Sequence, residues 1–318
     1  MKSKYFNYLL FTSVGLICAE FLSLSMPLTL IFIMNYWGYG LIYILLLHII
    51  KKYDLRDFKS YYLLGLFIGI LTETFLTKVL YHVPWRQNGL YFLGFGVIDS
   101  LMLLFFWHPV MSFAVPVLIC NYYFGYPNPN GLIPERYMKL ILGVLPIILA
   151  LMSVTKPNLV LILTGTGINF VVLTVYIMLF KKFKSDNSLL STREIITLIL
   201  LIVVSFTFAY FTLVDYFPSI ITLVFTFAII GFFFVLNYLN ITRKKIANTV
   251  TRHAMFSWRG YLTYCFYFST VFFILNRIFS LIYPLWLVMT QIVWYSFMIA
   301  GTLYFITTCS NILKKKST

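Results

Sequence analysis

Residues 41–81 read LIYILLLHIIKKYDLRDFKSYYLLGLFIGILTETFLTKVLY. An apolar run ends on Lys51 and Lys52, a short polar gap adds Arg56 and Lys59, and a second apolar run follows. A helix needs about 20 apolar residues to cross a hydrocarbon core roughly 30 Å thick, because it rises 1.5 Å per residue. Both runs meet that length, the first when followed back to Pro27. The stretch therefore reads as two membrane-spanning helices joined by a basic loop.

The same alternation extends in both directions. Ten apolar runs can be marked, near Tyr8–Leu24, Pro27–Ile50, Tyr61–Tyr81, Tyr91–Pro116, Met138–Ser153, Asn158–Phe180, Glu194–Leu213, Pro218–Asn240, Gly260–Ile282 and Pro284–Thr308. Composition agrees with that reading. Of 318 residues 61% are apolar and only 10% charged, with a mean hydropathy of +0.91. A soluble domain carries roughly 25% charged residues, so lipid must be the solvent here. The runs are too long and too continuously apolar for the alternating strands of a membrane barrel. The expected fold is all-α: a polytopic helical membrane protein of about ten spans, forming one integral membrane domain over residues 1–318.

Charge sets the expected orientation. Alternate gaps hold Lys2 and Lys4; Lys51, Lys52, Arg56 and Lys59; Arg136 and Lys139; Lys181, Lys182, Lys184 and Arg193; Arg243, Lys244, Lys245, Arg252 and Arg259; and Lys314 to Lys316. Those are 20 of the 24 Lys and Arg residues; the other face keeps only Arg86 and Lys156 in loops, with Lys78 and Arg277 inside spans. Lys and Arg stay on the cytoplasmic side during insertion, which places both termini in the cytoplasm. The net charge of +15 then needs no nucleic acid partner. The basic loops border anionic lipid headgroups, each residue gaining about 1 kcal/mol there. The expected location is the cell membrane.

Local signals mark several helix starts. Pro27 and Pro218 sit where a first turn has no use for an N–H, and Ser191 with Glu194 has capping-box spacing. Gly65 and Gly69 are spaced for close helix approach. Pro109 should kink the fourth span, whose apolar stretch continues past Pro116 to Tyr123. Trp85, Trp258 and Trp286 read as interface anchors. The four cysteines are scattered, and neither a disulfide framework, a metal site nor a cofactor motif is suggested.

Charged residues inside spans are costly and usually pair or mark a pathway. Here they are Glu20, Glu73, Lys78, Asp99, His108 and Arg277. Counting from the outer ends of straight helices puts Glu73 and Asp99 both ~12 Å deep and His108 ~26 Å deep. Two carboxyls at one level cannot both ionise cheaply, so Glu73 and Asp99 are expected to bind a proton or a cation. Thr72, Thr74 and Thr77 could add hydroxyls. Glu20, Lys78 and Arg277 lie nearer the outer surface and form an expected ion pair or gate.

Enzyme signatures are absent at most positions that would be needed. There is no H-E-x-x-H run, and the Thr164 to Asn169 stretch lacks the Lys of a phosphate-binding loop. Ten spans divide near Lys156 into possible five-helix halves, 1–155 and 156–318, of inverted topology. That arrangement is similar to the drug/metabolite carriers in size and termini, although no internal repeat is visible. The expectation is a carrier rather than an enzyme, coupling a proton or cation at Glu73, Asp99, Thr77 and His108 to an unidentified small amphipathic solute. The alternatives are an intramembrane enzyme acting on lipid through Glu73 and His108, or a non-catalytic assembly component.

Overall fold

A computed structural model describes residues 2–16, 30–76, 78, 80–81, 90–125, 133–152, 184–185, 188–212, 217–242 and 257–314. Among the described residues there are nine helices: α1 (Lys4–Leu16), α2 (Leu30–Lys52), α3 (Phe58–Phe75), α4 (Val97–Phe124), α5 (Glu135–Met152), α6 (Thr192–Thr212), α7 (Ile220–Thr242), α8 (Trp258–Leu281) and α9 (Tyr283–Lys314). Two short strand pairs accompany them: β1 (Lys2–Ser3) runs parallel to β4 (Lys184–Ser185), and β2 (Tyr91–Phe92) antiparallel to β3 (Phe95–Gly96). Helices α4, α6, α7, α8 and α9 are each long and apolar enough to cross a membrane. Their side chains include Val203, Phe211, Ile220 and Leu281, all more than half exposed, as lipid-facing residues are. This is a helical integral membrane protein.

The helix starts follow side-chain chemistry. Ser191 and Glu194 form the reciprocal box, with the Ser191 N–H donating to Glu194 Oε2 at 2.8 Å and the Glu194 N–H reaching Ser191 Oγ at 3.4 Å. Asp57 caps α3, accepting from the Ser60 N–H at 2.8 Å. That cap starts α3 three residues before Tyr61.

Two expected spans end differently. The third helix stops at Phe75 rather than Tyr81, and Lys78 beyond it takes a left-handed φ of +54°. The fourth helix begins at Val97 because Tyr91–Gly96 is a hairpin. Its two-residue turn puts Leu93 at φ +49° and Gly94 at φ +82°, the positive pair that a type I′ turn requires. From Val97 the helix continues past Pro116 to Phe124. Its middle, Leu103–Ala114, is π-helical and contains Pro109.

The chain divides into two units interleaved in sequence. One comprises Met1–Lys52, Val115–Leu189 and Asn248–Tyr295; the other comprises Tyr53–Ala114, Leu190–Ala247 and Ser296–Thr318. In the first unit, Phe11 meets Tyr43 edge-on at 5.6 Å, and the Ser257 N–H donates to the Tyr123 carbonyl at 2.7 Å. Trp286 is fully buried there, not an interface anchor. Its indole N–H donates to the Leu151 carbonyl at 3.2 Å, and Trp294 donates to that of Met152 at 3.0 Å. The last carbonyls of any helix lack partners within it, and these indoles supply them at the end of α5.

The second unit packs α3 and α7 against the first half of α4 around Tyr62, Leu66, Ile70, Leu104 and Phe233. Asn237 donates to the Leu63 carbonyl at 3.0 Å and Asn240 to Ser60 Oγ at 2.9 Å, joining α7 to α3. The helix ends fall into two groups within this unit. Ser60, Phe58 and Asn240 gather at one end, with Tyr304 of α9 against Phe58 at 5.6 Å. At the other end, the hairpin tip at Gly94 leaves no room for a Cβ beside Thr222, and Lys78 lies under Tyr210 and Phe217.

Candidate functional site

Two glycines bring α3 onto the π-helical segment. A Cβ on Gly69 would stand 2.7 Å from the His108 Cβ, and one on Gly65 would stand 2.7 Å from the Pro109 Cα. Only backbone surface allows that approach. Glu73 lies four residues beyond Gly69 and therefore on the same face of α3. Its Oε1 is 2.6 Å from His108 Nε2.

Both side chains are shut away from solvent, at 7% and 2% exposure. A bare ring nitrogen and an ionised carboxylate can each only accept, so a contact this short holds a proton. The other ring nitrogen, Nδ1, is also buried and has no hydrogen-bond partner among the described residues. His108 thus meets the carboxyl through one ring nitrogen, while the other has no hydrogen-bond partner among the described residues.

The π-helical widening sets the surroundings. Widened turns of this kind recur at functional sites. Pro109 has no N–H to give to the helix ladder, and the Phe105 carbonyl stands one turn before it. The Tyr62 hydroxyl lies 2.7 Å from this carbonyl and 2.9 Å from that of Gly301. Gly301 is itself pressed onto the Phe105 carbonyl, where a Cβ would clash with the backbone. The irregular helix is therefore held from two sides.

The expected carboxylate layer is changed in one respect. Glu73 stands level with His108, not with Asp99. Asp99 lies in the first turn of α4, half-buried, nine residues before His108 and so roughly 13 Å along the axis. The depth count assumed straight α-helices over Tyr61–Tyr81 and from Tyr91, and neither runs that way. The Thr72 and Thr74 hydroxyls turn to backbone carbonyls instead. Thr72 donates to the Ile68 and Gly69 carbonyls, and Thr74 to that of Ile70. Thr77 and Glu20 lie outside the described residues.

Lys78 is fully buried. Its ammonium stands 4.3 Å from the Tyr210 ring centre and 4.7 Å from that of Phe217, the distances of cation–π contacts. Arg277, on α8 in the other unit, is exposed and lies 5.3 Å over Phe273. Tyr210 also borders an apolar groove of about 400 Å³ between α3 and α6, lined by Leu71, Phe75, Ile202, Phe206 and Phe211 among others. The end of α3 thus presents Glu73 to His108 and Phe75 to this groove. Among the described residues no three His, Cys, Asp or Glu side chains gather as a metal site would require.

Sequence reading named Glu73 and His108 together as the acid and imidazole of an enzyme alternative, but its depth count set them at different levels, and it passed over Tyr62, Tyr210 and Phe217. The aromatic residues carried no signal that separates them from ordinary lipid-facing or core positions.

No solved structure matches this chain. It is similar to an uncharacterized protein of Archaeoglobus fulgidus, 33% identical over 134 residues, which covers 40% of this chain and 41% of that protein. The match thus spans less than half of the relative's length. Residues 9–315 match the model of an uncharacterized membrane protein family, and over nearly its whole length this chain belongs to that family.

Proposed function

We propose that the protein is a multi-pass carrier of the cell membrane in which Glu73 and His108 hold the coupling proton for movement of a small amphipathic solute. The 2.6 Å contact between two almost fully buried ionisable groups carries this reading. Such groups inside a membrane domain are costly, and a pair that must keep a proton to remain bonded changes its state when water reaches it. Nδ1, without a hydrogen-bond partner among the described residues, gives the ring a second point for proton entry or exit. The apolar groove beside Phe75 supports an amphipathic solute, since its occupant would press on the helix end that bears Glu73. Asp99 becomes a second polar station along α4, and Lys78 closes one end of the unit.

The chain is taken to cross the membrane about ten times with both termini in the cytoplasm. The parallel pairing of Lys2 with Lys184, and the gathering of Ser60 with Asn240, support loops of one charge class lying at one end of each unit. Accessibility labelling of single cysteines at Arg56 and Arg243 tests this, and reaction from opposite faces would end it.

The coupling test uses full-length protein in liposomes loaded with a pH-sensitive dye. Ethidium, tetraphenylphosphonium and laurate are offered in turn. Proton movement evoked by one of them in wild type and lost in Glu73→Gln is the expected result. Equal movement in Glu73→Gln, or none in wild type with any of the three, refutes the coupling role. The enzyme reading rests on the same acid and imidazole, and it gains if Glu73→Gln abolishes turnover of a lipid in vesicles that show no proton movement.

A further inference from the structure

The geometry points to a binding site for a phosphate-bearing anion at the end of the first unit where α1 begins and α2 finishes, built on His48 and Lys51. His48 is only 4% exposed, and both of its ring nitrogens are buried without a hydrogen-bond partner among the described residues. An imidazole always carries at least one N–H, and burying it unmet costs free energy. Something absent from the polypeptide alone is expected beside this ring.

The neighbours decide what that is. Lys51 and Lys52 follow His48 by three and four residues on one helix, which puts them on the same face. The Lys51 ammonium is shut off from solvent and lies 5.6 Å from the Tyr8 ring centre. Helix α1 runs antiparallel to α2, with Thr12 Oγ1 3.5 Å from the Gly40 carbonyl and Phe11 against Tyr43. Asn7 and Tyr8 of α1 are both buried, and it is the Tyr8 ring that the Lys51 side chain reaches. The first N–H groups of α1, which opens at Lys4 directly after β1, stand at this end together with the last carbonyls of α2.

A buried ring N–H with the Lys51 ammonium one turn further along the same face of the helix suits a multivalent oxyanion, whose oxygens accept from several donors at once. A metal ion would be repelled by the ammoniums, and an apolar group would leave the ring nitrogens unmet. A phospholipid headgroup and free phosphate share the required chemistry. The site is separate from Glu73 and His108 and does not depend on the carrier reading.

Only four histidines are present, so ring nitrogen resonances of ¹⁵N-histidine-labelled full-length protein in detergent are readable, with His48 assigned through His48→Gln or, should that variant not fold, through the other three. Phosphatidylglycerol, phosphatidylcholine and inorganic phosphate are titrated separately. The expected result is a shift of the His48 resonances with phosphatidylglycerol, and an affinity about tenfold lower in Lys51→Gln, the loss of one charge-assisted contact. A shift with inorganic phosphate as well identifies phosphate itself as the ligand; a shift with the lipid alone identifies a headgroup. Unmoved His48 resonances with all three, or an equal response to the zwitterionic lipid, overturn the proposal, and the wild-type titration decides this even if Lys51→Gln does not fold.

Discussion

Gly69 stands where a single added methyl group would lie 2.7 Å from the His108 Cβ. Close packing of α3 on the π-helical segment and the Glu73 to His108 contact are therefore one arrangement. Gly69→Ala must push the helices apart or turn His108 aside. Overpacking of this kind costs about 1–3 kcal/mol. A lowered melting temperature is expected, with loss of whatever activity depends on Glu73. Gly143→Ala is the control, because nothing lies within 4 Å of its Cβ position. It should be neutral or stabilising by up to about 1 kcal/mol, since Ala favours a helix over Gly. Thermal unfolding of the two variants side by side checks both signs.

Glu73→Gln preserves shape and still offers His108 a hydrogen-bond partner, so its fold should survive. Glu73→Ala leaves a buried ring nitrogen unmet and is expected to cost about 1–3 kcal/mol. With Glu73→Ala, His108→Ala and the double variant, the coupling energy should fall within about 0.5–3 kcal/mol. Strict additivity would show that the two side chains do not bond.

Much of this arrangement was legible beforehand, though not the direct contact between Glu73 and His108. Gly65 and Gly69 announce a close approach by spacing alone, and Ser191 with Glu194 announces a helix start, because both effects are local. The Glu73 partner required knowing where two helices begin. Leu93 and Gly94 encode a tight turn, but their setting in an apolar run hides it. A straight helix drawn from Tyr91 then shifts every later depth. The π-helical turn around Pro109 adds a further change of phase that no residue pattern reveals. Trp286 misled for a related reason: an aromatic residue near a span end suits an interface, while only the fold shows the unsatisfied carbonyl it meets.

Lys78 lies between two aromatic rings, and a desolvated cation–π contact is worth about 2 kcal/mol. Tyr210→Leu should lower stability. The same change made in a Lys78→Met background should cost less, because the cation is already gone. A difference of about 1–2 kcal/mol between the two backgrounds is expected. Equal losses would mean that Tyr210 acts only as packing around the groove.

The Leu151 carbonyl accepts both from Trp286 Nε1 at 3.2 Å and from Thr290 Oγ1 at 2.6 Å. A carbonyl oxygen has two lone pairs, so either donor alone keeps it satisfied. Trp286→Phe retains most of the buried ring, and Thr290→Val retains the shape of the threonine. Each should cost about 1 kcal/mol or less, the net worth of a neutral hydrogen bond. The double variant removes both side-chain donors to this carbonyl at the end of α5 and leaves it to bear its own desolvation. It should lose more than the two single variants together, by about 1 kcal/mol or more. Unfolding midpoints of the four proteins in one detergent make the comparison. If the losses simply add, the carbonyl has found another partner and the indole is held by packing rather than by its N–H.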